Sequence, residues 1–145
     1  MTRFRAAGAL TIALGAPWLS VASAHAEASA QLGRVPVVAS ATCAGSVSAD
    51  AQVVPVQIDY RLDDGVRVAI QYDAGIYDGS CALTVTADWA NLDTGASGSS
   101  DITAVSRIDG HYGFIGYANT TFNTGSGTVV VTLSSHPDTE MRLTV

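Results

Sequence analysis

Few side chains in this chain can do acid–base or nucleophilic chemistry. It has three histidines, two cysteines, thirteen carboxylates and no lysine, so a general base that works near neutrality has to be a histidine. His25 falls in the N-terminal segment, which leaves His111 and His136. His111 follows Asp109 by two residues and forms the best acid–histidine pair present. The triplet Asp109-Gly110-His111 is also a turn, where Asp and Gly are expected for backbone reasons alone. A serine nucleophile on a strand-to-helix elbow needs Gly-x-Ser-x-Gly. The nearest stretches, Gly95-Ala96-Ser97-Gly98 and Gly125-Ser126-Gly127, sit in polar connections with no helical pattern after them. Asp63 with Asp64, and Asp73 with Asp78, have calcium-ligand chemistry without an EF-hand spacing, and turn carboxylates usually cap neighbouring amides. The sequence therefore predicts no catalytic residue, no metal and no cofactor: a chain that is not an enzyme.

The cysteines carry a different message. Arg3 and Arg5 precede an apolar run from Ala6 to Ala16, which Pro17 interrupts, and Ala24-His25-Ala26 follows. A basic start, an apolar stretch shorter than the ~20 residues a span needs, and a small-residue A-x-A site make an export signal over 1–26. Cleavage after Ala26, or alternatively Ala24, leaves a secreted chain with no membrane span, resident in the extracellular space or cell envelope; an uncleaved anchor is the weaker third reading, since the apolar run is short. In that oxidising compartment Cys43 and Cys81 are expected to form a disulfide, since neither Cys-x-x-Cys nor zinc-ligand spacing is present. Two of the seven arginines lie before residue 27 and all thirteen acids lie after it, so 27–145 carries a net charge of −8. A chain this acidic lacks the basic patch that nucleic acid requires. Asn119-Thr120-Thr121 matches a glycosylation triplet and reads as a polar strand end.

Alternation of apolar and polar residues supplies the elements. Residues 27–42 are Ala/Ser/Val-rich with Pro36 and read as a flexible leader ending in a first strand, with order beginning near Val35, and 43–145 reads as one domain. Val54, Val56, Ile58, Tyr60 and Leu62 alternate with polar residues, as do Val66, Val68, Ile70 and Tyr72. These two runs predict a hairpin turning at 63–65, with Leu62 opposite Val66 and Gly65 left-handed. Leu83, Val85, Ala87 and Trp89 make a third strand, with Trp89 in the core near the disulfide. A second hairpin turns at Asp109-Gly110 and pairs Arg107 with Tyr112, Val105 with Phe114 and Ile102 with Tyr117. Thr128–Leu133 is a Val-rich strand, His136-Pro137-Asp138 a turn, and 141–145 a last strand. Seven or eight short strands without a helical period predict an all-β fold, a single antiparallel β-sandwich of Ig-like type with one disulfide.

The second hairpin is apolar on both faces. If Ile102, Ala104, Ile108, Ile115 and Tyr117 face the core, then Val105, Tyr112 and Phe114 with Arg107 form an outward patch of interface type. Two stretches, Asp88-Trp89-Ala90-Asn91-Leu92-Asp93-Thr94-Gly95-Ala96-Ser97-Gly98 and Asn123-Thr124-Gly125-Ser126-Gly127-Thr128-Val129-Val130-Val131-Thr132-Leu133, resemble segments of small secreted actinobacterial β-sandwich proteins of unassigned function. Cys81-Ala82-Leu83-Thr84-Val85-Thr86 and Ile102-Thr103-Ala104-Val105 are similar to strands of the tendamistat-type α-amylase inhibitors, although the Trp-Arg-Tyr triplet and the second disulfide of that family have no counterpart here. The first resemblance implies a secreted β-sandwich and no particular activity; the lack of a catalytic constellation and the patch on the second hairpin lead to the expectation of a secreted, non-catalytic binding module with a protein or glycan partner. The second resemblance implies an inhibitor of a secreted hydrolase.

Overall fold

A computed structural model describes residues 28–75, 79–109 and 112–145. Among these residues there is no helix, and none long and apolar enough to cross a membrane. Nine strands form two antiparallel sheets: β1 (Ser29–Ser40), β2 (Cys43–Ile58), β3 (Arg61–Asp73) and β7 (Gly116–Phe122) in the order β1-β2-β3-β7, and β4 (Gly79–Asn91), β5 (Ser97–Asp109), β6 (Tyr112–Phe114), β8 (Thr128–Leu133) and β9 (His136–Thr144) in the order β6-β5-β4-β8-β9. β6 and β7 are separated by Ile115 alone, so one run of chain leaves the second sheet and joins the first. The all-β, two-sheet architecture and its disulfide are as the sequence predicts.

The core lies between the sheets and follows the period of two that alternating side chains impose. Val47, Ala49 and Ala51 of β2, Val66, Val68, Ile70 and Tyr72 of β3, and Leu83, Val85 and Ala87 of β4 are buried against Ile102, Ala104, Val129, Val131, Met141 and Leu143. Cys43 and Cys81 are bonded, with their Cα atoms 5.7 Å apart, and they join β2 of one sheet to β4 of the other. Trp89 packs against Phe122 at a centroid distance of 6.0 Å. It does not lie near the disulfide: eight residues of extended β4 separate it from Cys81, about 26 Å at strand rise. The cystine closes one end of the sandwich and the Trp89–Phe122 pair fills the other.

Four local readings are corrected. Residues 29–40 are not a leader but strand β1, paired with β2 from Ser29↔Gln52 to Ser40↔Cys43; its bulges let Leu32, Val35 and Val37 reach the core despite weak alternation in the sequence. The β2–β3 hairpin turns at Asp59-Tyr60, giving Ile58↔Arg61, Val56↔Asp63 and Val53↔Val66. Both turn residues have positive φ, 43° and 68°, a type I′-like geometry that usually recruits Asn and Gly. The β5–β6 hairpin pairs Arg107 with Phe114 and Asp109 with Tyr112, two residues out of the predicted register, and Ile102 has no partner in β7. His136 begins β9, the turn being Ser134-Ser135.

The open side between β1 and β9 is closed by chemistry rather than by another strand. Pro36 on β1 and Pro137 on β9 are exposed on the outermost strands of the two sheets, where a missing amide opposes the addition of a further strand. His136, 6 % exposed, spans the gap, with Nε2 2.8 Å from the Gly33 carbonyl oxygen.

Replacing both cysteines by serine is expected to lower unfolding free energy by about 4 kcal/mol, the loop entropy of a 38-residue closure, measured by urea denaturation. The Tyr72 hydroxyl is buried without a hydrogen-bond partner. Burial raises its pKa above 10.0, and the Asp73 carboxylate adds to the rise. The stability tied to the neutral phenol is then whole below pH 10 and lost as pH climbs through the raised folded value. Tyr72→Phe is expected to stabilise by up to ~1 kcal/mol at neutral pH and to flatten the alkaline fall in a pH series of melting curves.

Candidate functional site

The residues that could do chemistry are engaged in holding the fold. His136 Nε2 faces a carbonyl oxygen and must donate to it, so in the neutral ring Nδ1 accepts from the Ser135 hydroxyl 2.9 Å away. This is a serine–histidine contact without a carboxylate behind it, and the second ring nitrogen is occupied in pinning β9 to Gly33. Asp63 Oδ1 accepts the Asp64 amide at 2.9 Å, Asp64 Oδ2 accepts the Ser126 hydroxyl at 2.7 Å, and Asp73 Oδ1 accepts the Gly75 amide at 3.1 Å. Asp73 caps the turn after β3, whereas Asp63 and Asp64 sit on β3 and bond to a neighbouring amide and to the loop after β7; no group of three metal-ligating side chains occurs among the described residues. The Asp109/His111 side-chain pair and Asp78 lie outside the described residues. Ser97 opens β5 rather than an elbow.

The predicted patch is partly assembled. Val105 is 48 % exposed and Phe114 58 %, and Arg107, cross-strand neighbour of Phe114, is exposed beside them. The Tyr112 side chain lies outside the described residues. Two residues assigned to the core join the surface instead: Ile115 and Tyr117 are each 54 % exposed. They miss the core because the chain changes sheets between them. Gly116 permits the change, since a Cβ there would stand 2.6 Å from the Val105 carbonyl carbon and oxygen. The buried Ser106 hydroxyl fixes the neighbouring backbone, accepting from the Ala74 amide at 3.1 Å and donating to the Phe114 carbonyl at 3.2 Å. The apolar patch thus sits on backbone tied to both sheets.

A second feature was hidden in the sequence. Beyond the pair Val53↔Val66, neither β1 nor β7 accompanies the β2–β3 hairpin. Five cross-strand pairs, from Val54↔Gly65 to Ile58↔Arg61, continue as a two-stranded arm about 16 Å long at strand rise. Leu62 on this arm is 75 % exposed and Tyr60 at its tip is fully exposed. Ile58, Arg61, Leu62 and Asp63 line a shallow cavity of about 300 Å³ with Asn123.

The base of the arm is held by a loop that Asn91 organises. The Asn91 amide, 1 % exposed, donates from Nδ2 to the Thr124 and Ser126 carbonyls, both at 3.0 Å. Its Oδ1 accepts the amides of Asp93 and Thr94 at 3.0 and 3.2 Å. The loop that it holds gives the Gly125 amide to the Asp64 carbonyl at 3.0 Å and the Ser126 hydroxyl to the Asp64 carboxylate. Gly127 fits here because a Cβ would approach Asn91 Oδ1 to 2.8 Å.

With this geometry the chain is a disulfide-bridged β-sandwich bearing two separate apolar surface features. No family model, no curated protein and no solved structure matches it.

Asn91→Ala is expected to cost about 3 kcal/mol by stranding two carbonyls and two amides. Asn91→Asp should cost more, because it turns a carboxylate toward the Thr124 and Ser126 carbonyls; denaturant titration of both variants is the check.

Proposed function

We propose that this protein is a non-catalytic binding module of the extracellular space or cell envelope, which engages a protein or glycan partner through the β5–β6–β7 surface. The observation that carries the reading is the exposure of Phe114 with Val105 and its cross-strand neighbour Arg107 on the outer face of the second sheet, on backbone held by Ser106, with exposed Ile115 and Tyr117 following where the chain passes to the first sheet. Large apolar side chains left half in water cost solvation free energy that a partner recovers, and aromatic residues beside an arginine are the composition found at interface centres. Fixing the backbone before contact reduces the entropy lost on binding. Export is supported by the N-terminal signal pattern and by a disulfide of a kind that persists in oxidising compartments. The non-catalytic part of the reading is supported by the structural engagement of His136 and of the Asp63 and Asp64 carboxylates on β3.

The test uses the protein recovered from the medium after expression of the full chain, immobilised and exposed to culture filtrate and to cell-wall fragments. Phe114→Ser with Tyr117→Ser is expected to reduce retention of the bound component at least tenfold, with stability moved by no more than ~0.5 kcal/mol because both side chains are exposed. Tyr60→Ser, at the far end of the molecule, should leave retention unchanged. Undiminished capture by the double variant removes the assignment of this surface, and protease treatment of the captured material tells a protein partner from a glycan.

A further inference from the structure

The β2–β3 arm is a structure that water alone does not favour. A two-stranded hairpin is marginal by itself, and this one places half-buried Val54, Val56 and Ile58 along one face and exposed Leu62 on the other, with fully exposed Tyr60 at its tip. Asp59 and Tyr60 both adopt positive φ, at a cost of about 1–2 kcal/mol for each side chain with a Cβ. A Gly-containing turn would avoid much of that cost.

The charges on the Val54/Val56/Ile58 face have a definite arrangement. Cross-strand partners share a face, so Arg61 lies beside Ile58 and Asp63 beside Val56, while Gly65 beside Val54 leaves room for the Val56 methyl group that a Cβ there would meet at 2.4 Å. Among the described residues neither Arg61 nor Asp63 forms an ion pair, the one salt bridge there being Arg142–Glu140, and the Asp63 carboxylate accepts only the neighbouring Asp64 amide. An acid and a base two residues apart on one strand face make that face complementary to itself under a two-fold rotation. With the axis lying in the contact plane, perpendicular to the strands and midway between the Ile58–Arg61 and Val56–Asp63 pairs, two arms run antiparallel. Arg61 of each then meets Asp63 of the other, and Ile58 of each packs on Val56 of the other. Pro55 withholds an amide on the arm, which disfavours lengthening the sheet by strand addition and leaves face-to-face packing as the available mode.

We propose that the arm is a dimerisation element, whose occupant is the arm of a second copy of this chain, joined by aliphatic packing across Val56 and Ile58 and by two symmetry-related Arg61–Asp63 pairs. The contact uses the end of the molecule away from the Phe114/Tyr117 surface, so it neither requires the partner-binding reading nor blocks it.

The experiment is sedimentation equilibrium of the protein recovered from the medium, over a concentration series, with Arg61→Asp, Asp63→Arg and the double exchange. The wild type is expected to dimerise. Each single exchange creates two like-charge contacts and should weaken the dimer roughly 100-fold, whereas the double exchange should restore it to within a few-fold of wild type. At concentrations too low to populate the dimer, thermal melting of all four proteins should agree closely, because both side chains are exposed and Asp63 makes only a local bond to the Asp64 amide. A wild type that stays monomeric up to ~1 mM, or a dimer indifferent to the single exchanges, overturns the proposal. So does a double variant that stays as monomeric as the singles while melting like the wild type.

Discussion

Asn91 is the last core-facing residue of β4, and its amide has four hydrogen-bond valences in a place where water does not reach. All four are met by backbone, two from the 123–127 loop and two from the turn that follows β4. This matters because a sandwich core is open at both ends, where strands stop and loops must cross without burying unpaired peptide groups. Here a side-chain amide does what a further strand would do. Through Ser126 and Gly125 the same loop reaches Asp64, so the position of the protruding arm follows from an amide buried behind it.

The two ends of the molecule are closed by different means, and the difference shapes the surface. At one end the Cys43–Cys81 bridge joins the sheets, and near it Ser106 gathers β3, β5 and β6 with a single hydroxyl. That end tolerates a chain that switches sheets, and Ile115 and Tyr117 are left outside by the switch. At the other end Trp89 and Phe122 fill the space, and the ring of Trp89 lies over Gly98, where a Cβ would approach Nε1 to 2.6 Å. Along one side, His136 and the two edge prolines replace a covering strand. Each device uses at most three residues, and the core that they enclose is built largely of Ala and Val side chains.

Much of this was legible because period-two alternation and cysteine chemistry are strong signals. Thr128–Leu133 emerges as β8 with the predicted bounds, Leu83, Val85 and Ala87 face the core, and Cys43 and Cys81 are joined. The first hairpin was illegible for a physical reason. Val54, Val56, Ile58, Tyr60 and Leu62 alternate more strongly than Val47, Ala49, Ala51 and Val53, yet it is the weaker set that faces the core. The Asp59-Tyr60 turn carries no glycine, whereas Asp63-Asp64-Gly65 does. Gly65 is needed for another purpose: a Cβ there would stand 2.3 Å from the Phe122 carbonyl oxygen. A glycine that admits a neighbouring backbone cannot be told from a turn glycine without knowing which strand lies alongside. Of the patch, Val105, Arg107 and Phe114 were readable from hairpin parity, but Ile115 and Tyr117 were not, since parity assumes that a strand keeps its sheet.

The arm and the patch share a logic that separates them from ordinary exposed apolar residues. Scattered surface leucines or valines are normal and need no partner. Both features here place large side chains on backbone that is fixed at its root by buried or paired polar groups, Ser106 for the patch and Asp64 with its loop for the arm. A surface built this way loses little conformational freedom when it is covered, so more of the free energy of removing its apolar area from water remains as affinity. The same apolar residues on an unanchored loop would first have to be ordered, at about 1–2 kcal/mol per residue for backbone alone. Anchoring by hydroxyl and carboxylate groups therefore lowers the conformational cost of covering exposed apolar side chains in this fold.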